Sequence, residues 1–265
     1  MKCRDLIFTL TYLSFVACTD HKKEGISAFD SGNYDQAIYH FEKVVRLYPE
    51  DHVTLHNLAR SYEVTGDIEQ AIEYYSKSIK QTIDPYEYNS YVGRGRCLWA
   101  REEYDLAVID FNNALSANPR NFESRYYRAR YHIKNNRFRK AYEDINIALE
   151  VDPENPQALY HKGLIYGQWG NIPLAIRSFS KAVQGKPDFA AAYFGRGVMY
   201  QSLDRYSRAL QDYDMAFTLG LNSDELLYRQ GACYFQTGQP DKGCKNLRQM
   251  SSKKDPEGFR NAYCM

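Results

Sequence analysis

The stretch from Glu102 to Pro119, EEYDLAVIDFNNALSANP, places apolar residues at helical spacing among charged and amide residues. The apolar residues recur at steps of three, four and three: Tyr104, Ala107, Phe111 and Ala114. Residues at this spacing lie on one face of a helix. The stretch therefore predicts an amphipathic helix that ends before a proline.

The same phrase begins seven times along the chain, at steps of 34 or 36 residues. Its first residues are Tyr34, Ile68, Tyr104, Phe138, Ile172, Tyr206 and Pro240. A small residue follows three places later, and a large apolar residue follows four places after that. The large residues are Phe41, Tyr75, Phe111, Ile145, Phe179, Tyr213 and Leu247. A fixed period in this range predicts a repeat architecture.

A second amphipathic segment precedes each phrase, and it has a small residue nine places before the phrase begins. These small residues are Gly25, Ala59, Gly95, Ala129, Gly163, Gly197 and Gly231. Turn-forming residues separate the two segments. We therefore predict that each unit is a pair of antiparallel helices, which cross closely where the side chains are small. One pair cannot bury its apolar face alone, whereas a stack of pairs can.

This pattern resembles the tetratricopeptide repeat (TPR), with its Leu-Gly-x-x-Tyr and Ala-x-x-x-Phe phrases and its closing proline. The resemblance covers about Cys18 to Leu247. It implies an all-α fold, a right-handed α-solenoid of stacked antiparallel helix pairs. The units implied are 18–51, 52–85, 88–121, 122–155, 156–189, 190–223 and 224–250, and residues 251–265 are predicted to form a C-terminal capping helix. Ile83 departs from the pattern, because the family has proline there.

The first 17 residues are predicted to be a signal peptide. The uncharged run from Leu6 to Ala17 is shorter than the about 20 apolar residues that span a bilayer. It ends in FVAC, which resembles the lipobox of bacterial lipoproteins, although Phe15 stands where leucine is usual. The resemblance implies that Cys18 is lipidated and that the chain is anchored in the bacterial cell envelope, on the periplasmic or surface side of the outer membrane. The alternative is an ordinary signal peptide that is cleaved nearby.

Charge is balanced, with 34 basic and 33 acidic residues, so the composition favours neither nucleic acid nor an anionic membrane surface as a partner. Basic residues recur just before the small residue of the first helix: Arg94, Arg128, Lys162 and Arg196. Acidic residues recur on the second helix: Asp110, Asp144 and Asp212. We interpret the two rows as ion pairs within the stack, which support register rather than ligand binding.

A separate arginine row, Arg60, Arg96 and Arg130, follows the small residue in the second, third and fourth units. The resemblance to TPR proteins implies that this row faces a concave peptide-binding groove. It places these further residues there: His56, Trp99, Tyr126, Lys134, Tyr160, Phe194, Tyr228 and Phe235. Arginine can hold a carboxylate through two hydrogen bonds, so one hypothesis is a groove for an acidic or C-terminal-carboxylate segment. The other is a solvated face with scattered arginines. Under the first hypothesis, replacing the three arginines by alanine should weaken partner capture without unfolding the protein.

The cysteines divide by position. Cys97 and Cys233 fall at equivalent places on first helices and are interpreted as small buried hydrophobic residues. Cys244 and Cys264 flank a predicted helical hairpin, and an exported chain meets an oxidising compartment, which favours a disulfide between them. The alternative is that both remain reduced. No Cys-x-x-Cys or Cys/His cluster has zinc-site spacing, and the histidines are scattered among the units, so no metal site is predicted.

Catalytic signatures such as His-Glu-x-x-His, Gly-x-Ser-x-Gly and phosphate-binding loops do not occur. The sequence therefore predicts neither an enzyme nor a cofactor. We expect a membrane-anchored TPR scaffold or adaptor that binds a partner protein or peptide in its groove and supports envelope protein assembly or targeting. The alternative is a ligand- or glycan-binding accessory component of an outer-membrane uptake system.

Overall fold

The computed structural model describes residues 19–81, 88–250 and 264, and these residues form helices with no strand among them. The first helix, α1, covers residues 19–30. The others are α2 (Tyr34–Leu47), α3 (His52–Thr65), α4 (Ile68–Gln81), α5 (Asn89–Ala100), α6 (Tyr104–Ala117), α7 (Phe122–Lys134), α8 (Phe138–Val151), α9 (Pro156–Gln168), α10 (Ile172–Gly185), α11 (Ala190–Gln201), α12 (Tyr206–Thr218), α13 (Asp224–Gln236) and α14 (Pro240–Gln249). The predicted all-α class is confirmed. Each phrase of the sequence begins at the first residue of an even-numbered helix.

The chain divides into two compact parts, which we call the N-terminal part (residues 1–131) and the C-terminal part (residues 132–265). In the N-terminal part, consecutive helices from α2 to α6 pack against one another, and in the C-terminal part the same holds from α8 to α14. The signal peptide, Cys18 and Ile83 lie outside the described residues, and so does the predicted capping helix over 251–265 except for Cys264. None of the helices that the structure describes is both long and apolar enough to cross a membrane.

The core consists of the repeated large and small residues. The seven large residues of the second helices are each at most 1% exposed. A methyl group on Gly95 would lie 2.7 Å from Phe111 Cε1, and one on Gly163 would lie equally close to Phe179 Cε1. In these two helix pairs, the glycine of the first helix leaves room for the aromatic ring of the second helix, as the pattern predicts.

The turn between the two helices of a pair contains one residue in the left-handed region of backbone space. Gly66 holds it with a φ of 87°, and the equivalent Glu102 holds it with a φ of 63°. Glycine adopts this conformation without the steric cost that a Cβ atom brings. The glycines of the TGD and WGN turns are therefore backbone requirements of the hairpin.

Two of the predicted helix-to-helix ion pairs form with paired hydrogen bonds. Arg94 donates from Nε and Nη2 to Asp110 at 2.8 and 2.7 Å, and Arg196 makes the same contacts with Asp212. Lys162 lies instead over the rings of Tyr142 and Tyr166. The reason is visible in the repeat: the residue 16 places after Lys162 is a serine rather than an aspartate.

The cysteines fall into two chemical states in the described residues. Cys97 and Cys233 are buried thiols, and burial raises the pKa of each to about 12, so neither is a reactive nucleophile. Cys244 on α14 and Cys264 form a disulfide with a Cα–Cα distance of 5.4 Å. This bond ties Cys264 to α14.

Candidate peptide-binding surface

The arginines of the predicted groove lie on α3, α5 and α7, which are the first helices of three successive pairs. We call Arg60, Arg96 and Arg130 the first-helix row. Each lies one residue after a buried alanine or glycine. The three arginines therefore occupy equivalent positions in three successive helix pairs of the N-terminal part. Their surroundings differ, and this difference decides what each can bind.

Arg96 is held by two carboxylates from neighbouring helices. Its Nε and Nη2 donate to Glu63 of α3, each at 2.8 Å, and its Nη1 donates to Glu123 of α7 at 2.9 Å. The Tyr75 hydroxyl donates to the same Glu63 carboxylate at 2.7 Å. Arg96 thus joins three first helices, and its charge is already balanced within the protein.

Arg130 is surrounded by aromatic rings. Its guanidinium carbon lies 4.7 Å from the Trp99 ring centroid, 5.3 Å from that of Tyr127 and 5.5 Å from that of Tyr126. In the described residues no carboxylate forms an ion pair with it. Arginine is attracted to the faces of such rings, which orient the guanidinium group and leave its hydrogen-bond donors available.

Arg60 repeats this arrangement on α3. Its guanidinium carbon lies 4.5 Å from the Phe29 ring centroid, its side chain is exposed, and within the part of the chain that the structure describes no carboxylate pairs with it. Phe29, Glu63 and Trp99 occupy one equivalent position in successive units, four residues after the small residue. Each arginine contacts the residue at this position in the preceding unit. An aromatic residue there leaves the arginine available, whereas glutamate neutralises it.

His56 lies beside the row within a buried chain of polar groups. Its Nδ1 lies 2.8 Å from Ser90 Oγ, which lies 2.9 Å from Ser78 Oγ, and Ser78 donates to the His52 carbonyl. Burial above all, together with the positive charges of Arg60 and Arg96, lowers the pKa of His56 to about 4, against the opposing charge of Glu63. His56 is therefore neutral near pH 7 and acts as a packed hydrogen-bonding group.

This shift predicts acid sensitivity. Because the unfolded chain binds a proton near pH 6.5 and folded His56 only near pH 4, stability is fully present above about pH 6.5 and falls as the pH drops to about 4. The shift corresponds to at most about 3 kcal/mol. Urea unfolding at pH 7, 5.5 and 4.5 should show a smaller loss in His56→Gln than in the native protein. Parallel losses in both proteins would contradict the assignment.

The other predicted groove residues are placed as follows. In the N-terminal part, Tyr126 stacks on Phe122 of its own helix. In the C-terminal part, Lys134 is exposed at the end of α7, and the ring of Phe194 lies 5.8 Å from that of Tyr213 between centroids. Tyr228 is half-buried on α13.

Two of the predicted groove aromatics in the C-terminal part pack between helices. Tyr160 lies 5.0 Å from Phe189 and 5.8 Å from Phe179 between ring centroids, and burial raises the pKa of its hydroxyl. A methyl group on Gly243 would lie 2.8 Å from Phe235 Cε1, so the Phe235 ring fills space above α14. Tyr160 and Phe235 therefore contribute to the helix interfaces of the C-terminal part.

Sequence reasoning missed Glu63 and Glu123, the partners of Arg96. The signal was present, because the repeat register aligns Glu63 with Phe29 and Trp99. It also missed a cluster of His21, Glu24 and His40 on the first helix pair. Their ring nitrogen and carboxylate oxygen atoms lie within 4.8 Å of one another, although His40 is 19 positions after His21 in the sequence. Only the packing of α1 on α2 brings His40 to the other two.

Family models of the tetratricopeptide repeat match the chain over residues 15–84, over four overlapping stretches from 56 to 220, and over 225–253. In fold, the chain is similar to a tetratricopeptide repeat protein from Parabacteroides merdae, with 18% identity and a TM-score of 0.65, over 94% of this chain and 98% of that one. It is also similar to YrrB, a TPR protein with an unusual peptide-binding site, with 23% identity and a TM-score of 0.59, over 71% and 95% of the two chains.

A curated relative is the DnaJ homolog subfamily C member 7 homolog of Dictyostelium discoideum, 31% identical over 113 residues, which are 38% of this chain and 19% of that protein. The curated relatives are much longer than the matched region, which spans 20% of their length or less. The family models together cover most of the chain, and they coincide with its paired helices and buried register residues. The chain belongs to the tetratricopeptide repeat family.

Proposed function

We propose that this protein is a membrane-anchored TPR scaffold that binds an acidic or C-terminal-carboxylate segment of a partner protein along the first-helix row. It performs no catalysis and uses no cofactor, and by binding its partner it supports envelope protein assembly or targeting. The observation that carries the proposal is the pair Arg60 and Arg130. Both are oriented on aromatic rings, and neither has a carboxylate partner in the described residues.

The chemistry favours a carboxylate ligand. A guanidinium group presents parallel N–H donors that match the two oxygens of a carboxylate, and the hydrogen bonds are charge-assisted. The aromatic rings around Arg130 add apolar contact area at low entropic cost to a bound peptide. YrrB, which shares the fold, has a peptide-binding site, and this supports a peptide ligand here.

The anchor is a separate part of the proposal. Cys18, at the end of the FVAC sequence, is the attachment point for the lipid, and the lipid holds the repeats at the bacterial cell envelope. Several acyl chains would make the attachment effectively permanent, at about 0.8 kcal/mol for each buried CH₂ group. Radiolabelled palmitate should enter the native protein and not Cys18→Ala; equal labelling of both would contradict the anchor.

The binding proposal is tested with Trp99, which contacts Arg130. The chain has two tryptophans, so a Trp169→Phe background leaves Trp99 as the fluorescence reporter. An acidic peptide with a free C-terminal carboxylate should change its fluorescence saturably. The same peptide with an amidated C-terminus should bind at least about tenfold more weakly, because it lacks the terminal charge.

The double variant Arg60→Ala/Arg130→Ala should lose most of this binding, whereas Arg139→Ala should keep it. Arg139 is the matched control, because its side chain is 92% exposed and lies on a second helix. Equal peptide affinity in the double variant and the control would overturn the proposal. Binding of glycans without binding of peptides would do the same.

A further inference from the structure

Three potential metal ligands converge between α1 and α2. His21 Nδ1 lies 3.0 Å from His40 Nδ1, and Glu24 Oε2 lies 3.0 Å from His40 Nδ1 and 3.3 Å from His21 Nδ1. His21 and Glu24 are one turn apart on α1, and His40 faces them from α2. We call these residues the HEH cluster.

Hydrogen bonds of neutral rings cannot bridge all three of these contacts at once. A proton between the two Nδ1 atoms serves that pair only, and a proton that His40 donates to Glu24 leaves the His21 lone pair facing the carboxylate. A neutral imidazole has one N–H, so even when both rings carry it on Nδ1 and donate to Glu24, the 3.0 Å contact between the two Nδ1 atoms has no proton to bridge it. One cation at the centre would accept electron pairs from all three atoms.

The neighbouring cations have other partners. Lys22 donates to Asp51 at 2.7 Å, and Lys43 lies over the Tyr39 ring. The partners of Glu24 in the described residues are the two imidazole rings. Its side chain is 56% exposed, so an ion can reach the cluster from solvent and retain a water ligand.

The donor set and spacing indicate the class of ion. Zinc is bound by imidazole nitrogen and carboxylate oxygen at about 2.0–2.2 Å in a tetrahedron, in which ligand atoms are about 3.3 Å apart. The three separations in the HEH cluster are close to this edge length. Magnesium and calcium prefer oxygen ligands, so they suit the cluster poorly.

We propose that the HEH cluster binds one divalent zinc ion, with a water molecule as the fourth ligand. The ion would join α1 to α2 in the first helix pair of the array. Many residues of α1 are polar and only Gly25 and Ala28 of this helix are buried, so it gains little from packing. Metal binding to the folded state would therefore stabilise this end of the array.

The test is zinc titration of the full chain after chelator treatment, followed by calorimetry and thermal unfolding. We expect one zinc ion per chain and a rise in Tm on its addition, with no effect of magnesium at the same concentration. His21→Gln, His40→Gln and Glu24→Gln should each weaken zinc binding at least tenfold and remove the Tm rise. His52→Gln, on the next helix, should behave as the native protein.

Cobalt substitution provides a readout of the ligands, because a tetrahedral nitrogen–oxygen site has visible absorption bands without the bands of thiolate ligation. Far-UV circular dichroism checks that each variant is folded. If the histidine variants misfold, Glu24→Gln decides, since its side chain is exposed and its removal leaves both rings in place. Zinc affinity unchanged in Glu24→Gln, or no saturable zinc binding by the native chain, would overturn the proposal.

Discussion

Gly163→Ala is expected to be less stable than Gly167→Ala by about 1–3 kcal/mol, although both changes place alanine in α9. A methyl group on Gly163 would lie 2.7 Å from Phe179 Cε1, and Phe179 is 1% exposed. The ring cannot retreat, because a methyl group on Gly195 of α11 would lie only 2.8 Å from its Cζ. Phe179 is thus enclosed by backbone from both sides.

Gly167 supplies the matched control. Its nearest neighbours are the terminal Sδ and Cε atoms of Met199, at 3.3 Å, and this flexible side chain can move aside. Alanine is the better helix former at both positions, so this contribution favours both variants. Urea unfolding monitored by circular dichroism measures the difference. Equal stability of the two variants would show that the crossing tolerates a side chain.

Arg96→Ala is expected to destabilise the protein by about 1–3 kcal/mol, because it leaves the carboxylates of Glu63 and Glu123 without their shared partner. Arg60→Ala, in the equivalent position, should change stability by no more than about 0.5 kcal/mol, since Arg60 is exposed and has no carboxylate partner in the described residues. Sequence analysis treated the three arginines alike and expected no unfolding from their replacement. In the structure Arg96 differs from the other two by its two carboxylate partners, so we expect a measurable loss of stability from its replacement.

Denaturant unfolding of the two single variants measures this contrast. The double variant Arg96→Ala/Glu63→Gln should recover part of the loss, because glutamine removes the unpaired charge and still accepts the hydrogen bond from Tyr75. No recovery would mean that the loss in Arg96→Ala comes from packing rather than charge. Equal losses in Arg60→Ala and Arg96→Ala would contradict the distinction between a structural and a binding arginine.

These two predictions depend on different parts of the sequence. The Gly163 crossing could be placed from the repeat alone, since the small residue and the large residue 16 positions later recur together. The role of Arg96 could not, because the arginine row itself is regular. The information lay in the residue that faces each arginine from the preceding unit, which is Phe29, Glu63 or Trp99 in turn.

The sequence by itself determined the helix pairs, their register and the residues of the core, because helix periodicity and the need to bury one face are local properties that every unit repeats. The tertiary structure decided which charges remain available and which atoms of distant residues meet. Arg96 was paired and Arg130 was left available by side chains from other helices, and His40 reached His21 and Glu24 only through the packing of α2 on α1. Such contacts depend on side-chain direction and on the identity of one neighbour, and neither repeats with the period of the chain.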